Sequence, residues 1–181
     1  MKFEEIKLDG EYIYKGRIIN LRKDTVRLPN GKTADREVIE HPGGVCIAPL
    51  TENGELIFVS QFRYPFKEEF LELPAGKLSI GEDPLECGIR ELKEETGTQA
   101  ENYVFLGKLY PSPGCYDEII YLYLAQGLTY GEQQPDEDEF LEVIKIPLET
   151  AVEMVLANAL TDAKTQTLIL KTYLLKQKGL I

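Results

Sequence analysis

Three glutamates, Glu91, Glu94 and Glu95, stand within five residues near the end of "GKLSIGEDPLECGIRELKEETG", residues 76–97. In a helix, spacings of three and four bring side chains onto one face, where each like-charged pair costs roughly 0.2–0.5 kcal/mol. The trio also sits toward the C-terminal end of the predicted helix, where the helix dipole disfavours anions. Two readings follow. One is a solvated acidic face. The other is a cage of hard oxygen donors for Mg²⁺ or Mn²⁺, in which the cation turns the repulsion into binding energy. Lys93 points elsewhere on the helical wheel and cannot neutralise all three. Arg90 reaches Glu94 at i, i+4 and would fix the orientation of that carboxylate.

Other chemically capable residues are sparse. His41 is the only histidine, and between Glu40 and Pro42 it reads as structural, so general-base work falls to a carboxylate. The three cysteines, Cys46, Cys87 and Cys115, are far apart with no CxxC. They read as structural thiols, not as a disulfide framework or a zinc site. One further acidic run exists, "GEQQPDEDEFLE", carrying Glu132, Asp136, Glu137, Asp138, Glu139 and Glu142 without a basic residue.

The chain has 181 residues and a formal net charge of −11, with 43% apolar and 28% charged residues. That is the composition of a folded soluble domain. The negative charge argues against nucleic acid or an anionic membrane as the main partner. No apolar run approaches the roughly 20 residues of a membrane span, and "MKFEEIKLDGEY" lacks the order of a signal peptide, so a cytoplasmic location is expected. An anionic substrate would need its field neutralised locally, and a divalent metal is the obvious means.

The elements that must position these residues are legible in outline. Asp83 suits the cap of the glutamate helix, Pro84 its first position, Glu86 the third position after the cap, and Gly97 the left-handed C-terminal position. Leu85, Ile89, Leu92 and Thr96 fall on its expected core face, with the glutamates roughly opposite. Period-two runs flanking Pro29-Asn30-Gly31 predict a β-hairpin. "GVCIAPL" and "LIFVSQFRY" predict two strands around the turn at Glu52-Asn53-Gly54-Glu55, the first central in its sheet. "NYVFLGKLY", "EIIYLYLAQGL" and "FLEVIKIP" add three more strands. "LETAVEMVLAN" and "DAKTQTLILKTYLLKQKG" close the chain as helices. Strands mixed with helices give an α/β layered domain. Residues 1–42 are expected to form a separate β region before the Gly43-Gly44 break, and residues 43–181 the main domain.

The stretch resembles the Nudix hydrolase signature: Gly, five residues, Glu, seven residues, then Arg-Glu-apolar-x-Glu-Glu-x-Gly-apolar. Gly76, Glu82, Arg90, Glu91, Leu92, Glu94, Glu95 and Gly97 fill every defined position but the last, where Thr98 departs from the pattern. The resemblance implies an α/β/α sandwich with a mixed sheet and an N-terminal antiparallel β-hairpin region. It implies Glu91, Glu95 and the carbonyl of Ala75 as metal ligands, with Glu94 close to the metal, Arg90 orienting a glutamate and Glu82 bracing the loop.

Around the signature, "REVIEHPGGV", "QFRYP", "LELPAGK", "SPGCYDE" and "DEDEFLEV" resemble the ADP-ribose pyrophosphatase branch, so the likeness covers most of the chain. It implies Mg²⁺-dependent hydrolysis of ADP-ribose to AMP and ribose 5-phosphate. Substrate contacts would come from Arg36, Arg63, Gly114 and Glu118; Glu137 would be the base and Glu139 a further metal ligand, two roles that could be exchanged. It also implies a homodimer built by the N-terminal region, with both subunits forming each adenine pocket. A Nudix pyrophosphatase for another nucleotide sugar or dinucleotide, and a non-catalytic Nudix-like ligand sensor, stand as alternatives. A pure binder has no need of Glu91, Glu94 and Glu95 together.

Overall fold

The computed structural model describes residues 2–135 and 139–181, and it divides into two compact units. The first unit comprises the chain up to Gly43 together with Tyr110–Ile119. Strands β1 (Ile6–Lys15), β2 (Asn20–Arg27) and β3 (Thr33–Glu40) form its antiparallel sheet, in that order. The expected hairpin is β2–β3, closed at Gly31, whose N–H donates to the Leu28 carbonyl at 2.9 Å. Strand β1 carries no clear strand signal in the sequence. Irregularities between Lys7 and Asp9 and between Tyr12 and Tyr14 break its alternation, and period two is the signal by which a strand is read. All ten of its residues are exposed. The segment 110–119 joins this unit along β3, where Ile39 N–H donates to Cys115 O (2.8 Å) and Asp117 N–H to Ile39 O (3.0 Å).

The second unit holds two sheets and three helices. Strands β4 (Gly44–Pro49), β5 (Glu55–Arg63), β6 (Glu68–Glu72) and β7 (Ala75–Lys77) precede helix α1 (Pro84–Thr96). Then come β8 (Thr98–Leu109), β9 (Ile120–Tyr130), β10 (Leu141–Pro147), α2 (Leu148–Leu156) and α3 (Ala163–Gln177). One sheet runs β7-β4-β9-β8 and is mixed: β4 and β9 are parallel, while the other pairs are antiparallel. The other sheet, β10-β5-β6, is antiparallel.

Every residue of β4 is buried, as its apolar run predicts, because both faces of the strand are covered. Val45 and Ile47 pack with Cys87 and Leu92 of α1, while Cys46 and Ala48 pack with Leu168 and Ile169 of α3. The unit is thus an α/β/α sandwich. Each large side chain buried there contributes about 1.5–3 kcal/mol.

Helix α1 begins and ends where its sequence dictates. The Asp83 carboxylate accepts from the N–H groups of Leu85 (2.8 Å) and Glu86 (3.3 Å), and Gly97 takes φ 66° and donates to Lys93 O. The buried face differs from expectation: it is Cys87, Gly88, Leu92 and Glu95. Small residues, not large apolar ones, make the closest contact, since a Cβ on Gly88 would lie 2.6 Å from Ile47 Cδ1. This rotation carries Glu95 into the protein, whereas the wheel placed it opposite the core.

Candidate active site

Two carboxylates of α1 converge on the backbone of β7. Glu95, only 3% exposed, accepts a hydrogen bond from Ala75 N–H at 3.0 Å. Glu91 lies across Gly76 so closely that a Cβ there would stand 1.9 Å from its carboxyl carbon. The first glycine of the signature therefore makes room for the first glutamate of the trio. Burial raises the carboxyl of Glu91 above its ordinary value, against the pull of Arg90, and nearby Glu94 and Glu139 push it further. Glu95 is pushed up to about 8, first by burial and then by Glu91 and Glu139, against the hydrogen bond from Ala75 and the charge of Arg63. Glu139, expected as a metal ligand, thus stands near enough for its charge to be felt by both.

Arg90 binds the rest of the cluster. Its Nε lies 3.1 Å from Glu82, and one terminal nitrogen lies 2.9 Å from both Glu91 and Glu94. Burial opposes its charge, but the three carboxylates outweigh that and hold it firmly protonated. Glu82 in turn accepts from Ser79 N–H at 2.8 Å, and Arg90 and Ser79 together hold its carboxyl below the usual range. Glu82 thus links Ser79 of the loop before α1 to Arg90.

The geometry suits a divalent cation. Among the described residues no three acidic, histidine or cysteine side chains form a finished metal cage. What is assembled is a pair of buried or half-buried carboxylates over a backbone corner, with a third negative group near and a single arginine already shared three ways. Hard, anionic oxygens short of positive charge are the donor set that Mg²⁺ or Mn²⁺ completes. The residues fit the ion.

Arg63, at the end of β5, is pinned by Glu72 of β6. Its Nε donates to one carboxylate oxygen at 2.5 Å and a terminal nitrogen donates to the other at 2.9 Å. Glu72 is buried and also pairs with Lys164 of α3. Nothing about Glu72 or Lys164 marks either as a site residue from sequence; "LELPAG" offers the only hint, placing an acid just ahead of Ala75.

The other expected substrate contacts lie in the first unit. Arg36 is engaged by Glu5, with contacts of 2.8 and 2.6 Å. Gly114 occupies an exposed turn in which Cys115 N–H and Tyr116 N–H donate to Ser112 O. Glu118 faces His41 Nδ1 at 3.2 Å, and the same nitrogen accepts from Gly43 N–H, an arrangement that keeps His41 in a structural setting. Glu137 lies outside the described residues, as do Asp136 and Asp138. The segment leading to them is anchored on α1: Gly131 N–H donates to Gly97 O (2.7 Å) and Gln134 N–H to Glu94 O (2.9 Å). Thr98, the departure from the signature, is buried with its hydroxyl on Thr96 O.

Comparison with known proteins gives the same picture. Residues 40–168 match the family described as NUDIX domain, and residues 5–39 match the nucleoside diphosphate sugar hydrolase N-terminal domain. An ADP-ribose pyrophosphatase of Bacillus subtilis (strain 168) is 42% identical over 97% of this chain and 98% of its own. A methanol dehydrogenase activator of Bacillus methanolicus is 41% identical over 98% of this chain and 96% of its own. A crystal structure of an ADP compounds hydrolase superposes with a TM-score of 0.85 at 23% identity, covering 98% of this chain and 97% of that one, which shows the shared fold. A signature whose glycine makes room for one glutamate, whose arginine ties three acids together and whose last glutamate is buried against the backbone thus lies within the match over residues 40–168, and the chain belongs to the Nudix hydrolase family.

Proposed function

We propose that this protein hydrolyses the diphosphate of ADP-ribose to AMP and ribose 5-phosphate with a divalent cation, Mg²⁺ or Mn²⁺. The observation that carries the reading is the pairing of Glu91 and Glu95 over Ala75–Gly76, short of positive charge. When bound, the cation neutralises phosphoryl oxygens and lowers the pKa of a bound water. Glu91, Glu95, the Ala75 carbonyl and Glu139 would hold it. Glu94 stays beside them, oriented by Arg90, and Glu82 keeps Arg90 in place.

In the reaction, water oxygen bonds to one phosphorus as the bridging P–O bond breaks, and the water proton passes to a carboxylate. We assign that base to Glu137 and substrate contacts to Arg36, Arg63, Gly114 and Glu118. Residues 1–42 and 43–181 divide the work, the former supplying a homodimer interface and part of the adenine pocket. The exposed apolar side chains of β1, Ile6, Leu8, Tyr12, Ile13 and Tyr14, support that role. No helix among the described residues is long and apolar enough to cross a membrane. The net charge of −11 favours a small-molecule substrate over nucleic acid.

The match of residues 5–39 to a nucleoside diphosphate sugar hydrolase domain favours one second reading, a broader preference among such sugars. A panel of ADP-ribose, GDP-mannose, flavin dinucleotide and dinucleoside polyphosphates, assayed for released products, separates the two. ADP-ribose is expected to give the highest kcat/KM, and activity is expected to vanish in chelator and return with Mg²⁺ or Mn²⁺. A clear win for GDP-mannose would move the substrate while keeping the chemistry. Full turnover in excess chelator would refute the mechanism.

A further inference from the structure

Lys164 occupies a place where a lysine is costly. It is the second residue of α3, after the capping Asp162, at the end where the helix dipole disfavours a cation. Its side chain is only 13% exposed, and a buried ammonium loses far more solvation than one charge partner ordinarily returns. Two partners compensate it: Glu72, which it contacts directly, and Asp162 at 3.0 Å. Asp162 meanwhile caps the helix by accepting from Thr165 N–H at 2.9 Å. The Thr165 hydroxyl accepts from Leu73 N–H at 2.9 Å, tying the start of α3 to the residue after Glu72. Stability alone does not require this, because packed apolar groups often serve as well as a buried ion pair.

The alternation of charge runs Arg63, Glu72, Lys164, Asp162. Glu72 takes the Nε hydrogen and one terminal hydrogen of Arg63, so three of the five guanidinium hydrogens are not taken up by Glu72. The Arg63 side chain is pinned along one edge yet 37% exposed, and its charge is felt by buried Glu95. Removing Lys164 would leave two carboxylates, Glu72 and Asp162, facing a single arginine. The site would then present one positive charge fewer to an anionic substrate, and the Glu72 carboxylate would keep only one of the two cations that hold it.

We propose that Lys164 is a positioning residue for the diphosphate: through Glu72 it holds the Arg63 guanidinium with its free edge available to phosphate oxygens. This rests on the assignment above of Arg63 as a substrate contact, taken here to be to the phosphates. A purely structural Lys164 would act on the amount of folded enzyme, which lowers apparent kcat but leaves KM unchanged, because KM does not depend on enzyme concentration.

The test is steady-state hydrolysis of ADP-ribose by the full chain at saturating Mg²⁺, with thermal melts, for wild type, Lys164→Met, Lys164→Arg, Arg63→Ala and the Lys164→Met/Arg63→Ala double variant. Lys164→Met is expected to raise KM about tenfold, with a smaller fall in kcat. Lys164→Arg is expected to recover most of that rise. In the Arg63→Ala background Lys164→Met is expected to change KM less than about twofold, since coupled residues are non-additive. An unchanged KM in Lys164→Met, or a full tenfold effect in the Arg63→Ala background, overturns the proposal and leaves the functional reading intact. If Arg63→Ala itself leaves KM unchanged, the assignment of Arg63 to the substrate fails and the proposal falls with it. Should Lys164→Met melt below the assay temperature, Glu72→Gln replaces it: a raised KM supports the linkage and an unchanged one overturns it.

Discussion

Glu95→Gln separates what the buried carboxylate does for the fold from what it does for the reaction. In the metal-free protein the Glu95 carboxyl is pushed from 4.5 to about 8, chiefly by burial. The unfolded chain sheds this proton near pH 4.5 while the folded chain keeps it until about pH 8. Folding stability contributed by the protonated group is therefore complete below pH 4.5 and is lost as pH rises through that window. At about 1.4 kcal/mol per pH unit, the gap sets a ceiling of roughly 5 kcal/mol on the loss. Entry of water around the charged group returns part of it, leaving about 2 kcal/mol.

Glutamine keeps the shape and can still accept from Ala75 N–H, but carries no proton to lose. In chelator, Glu95→Gln is expected to melt like wild type at pH 4.5 and about 4–8 °C higher at pH 8.5. With Mg²⁺ its turnover is expected to fall by about a hundredfold or more, because a metal ligand is gone and the charge stabilisation it supports is worth several kcal/mol. Equal melting temperatures at pH 8.5 would refute the burial penalty. Turnover near that of wild type would remove Glu95 from the metal site and return the trio to a plain acidic face.

Gly76→Ala places a methyl group where the Glu91 carboxyl lies, so Mn²⁺ affinity measured by titration is expected to fall about ten- to a hundredfold; unchanged affinity would show that Glu91 is not held there for a metal. Glu137→Gln is expected to lower kcat by about a hundredfold, and Glu139→Gln to shift the Mg²⁺ requirement to higher concentration. Normal kinetics in both across a Mg²⁺ series would exclude this acidic segment from the mechanism. Ile13→Asp on the exposed β1 is expected to convert a homodimer into a monomer by light scattering, and an unaltered mass would place any interface elsewhere.

The parts of this protein legible in sequence are those fixed by neighbours along the chain. Asp83, Pro84 and Gly97 set the ends of α1 because caps are local hydrogen-bonding problems with few solutions. The run of β4 reveals a strand covered on both faces. What escaped was fixed across the chain. The helical wheel, which weighs large apolar residues, turns Glu95 away from the core, whereas Gly88 and Cys87 make the contact that sets the rotation of α1. Arg36 is expected as a substrate contact, and in the fold its fork is engaged by Glu5, thirty-one positions away. Lys164 looks like any lysine in the first turn of a helix, and its partner Glu72 lies ninety-two positions distant.

The charge inventory around α1 explains why these long-range pairings matter to function. Arg90 could serve an anionic substrate, but it is already divided among Glu82, Glu91 and Glu94. Its work is to let Glu91 and Glu94 coexist on one helix beside Glu82 of the preceding loop, and it has little charge left to offer. Among the described residues the hydrogen-bond donor to Glu95 is the backbone N–H of Ala75. A diphosphate approaching this surface meets repulsion unless positive charge is supplied from two directions. One is a cation between Glu91 and Glu95, which their shortage of charge favours. The other, on the proposed reading, would be Arg63, whose own acid Glu72 is shared with Lys164. On the proposed reading the signature would build one half of a neutralising clamp, and Lys164 of the last helix, outside the signature, would complete the other.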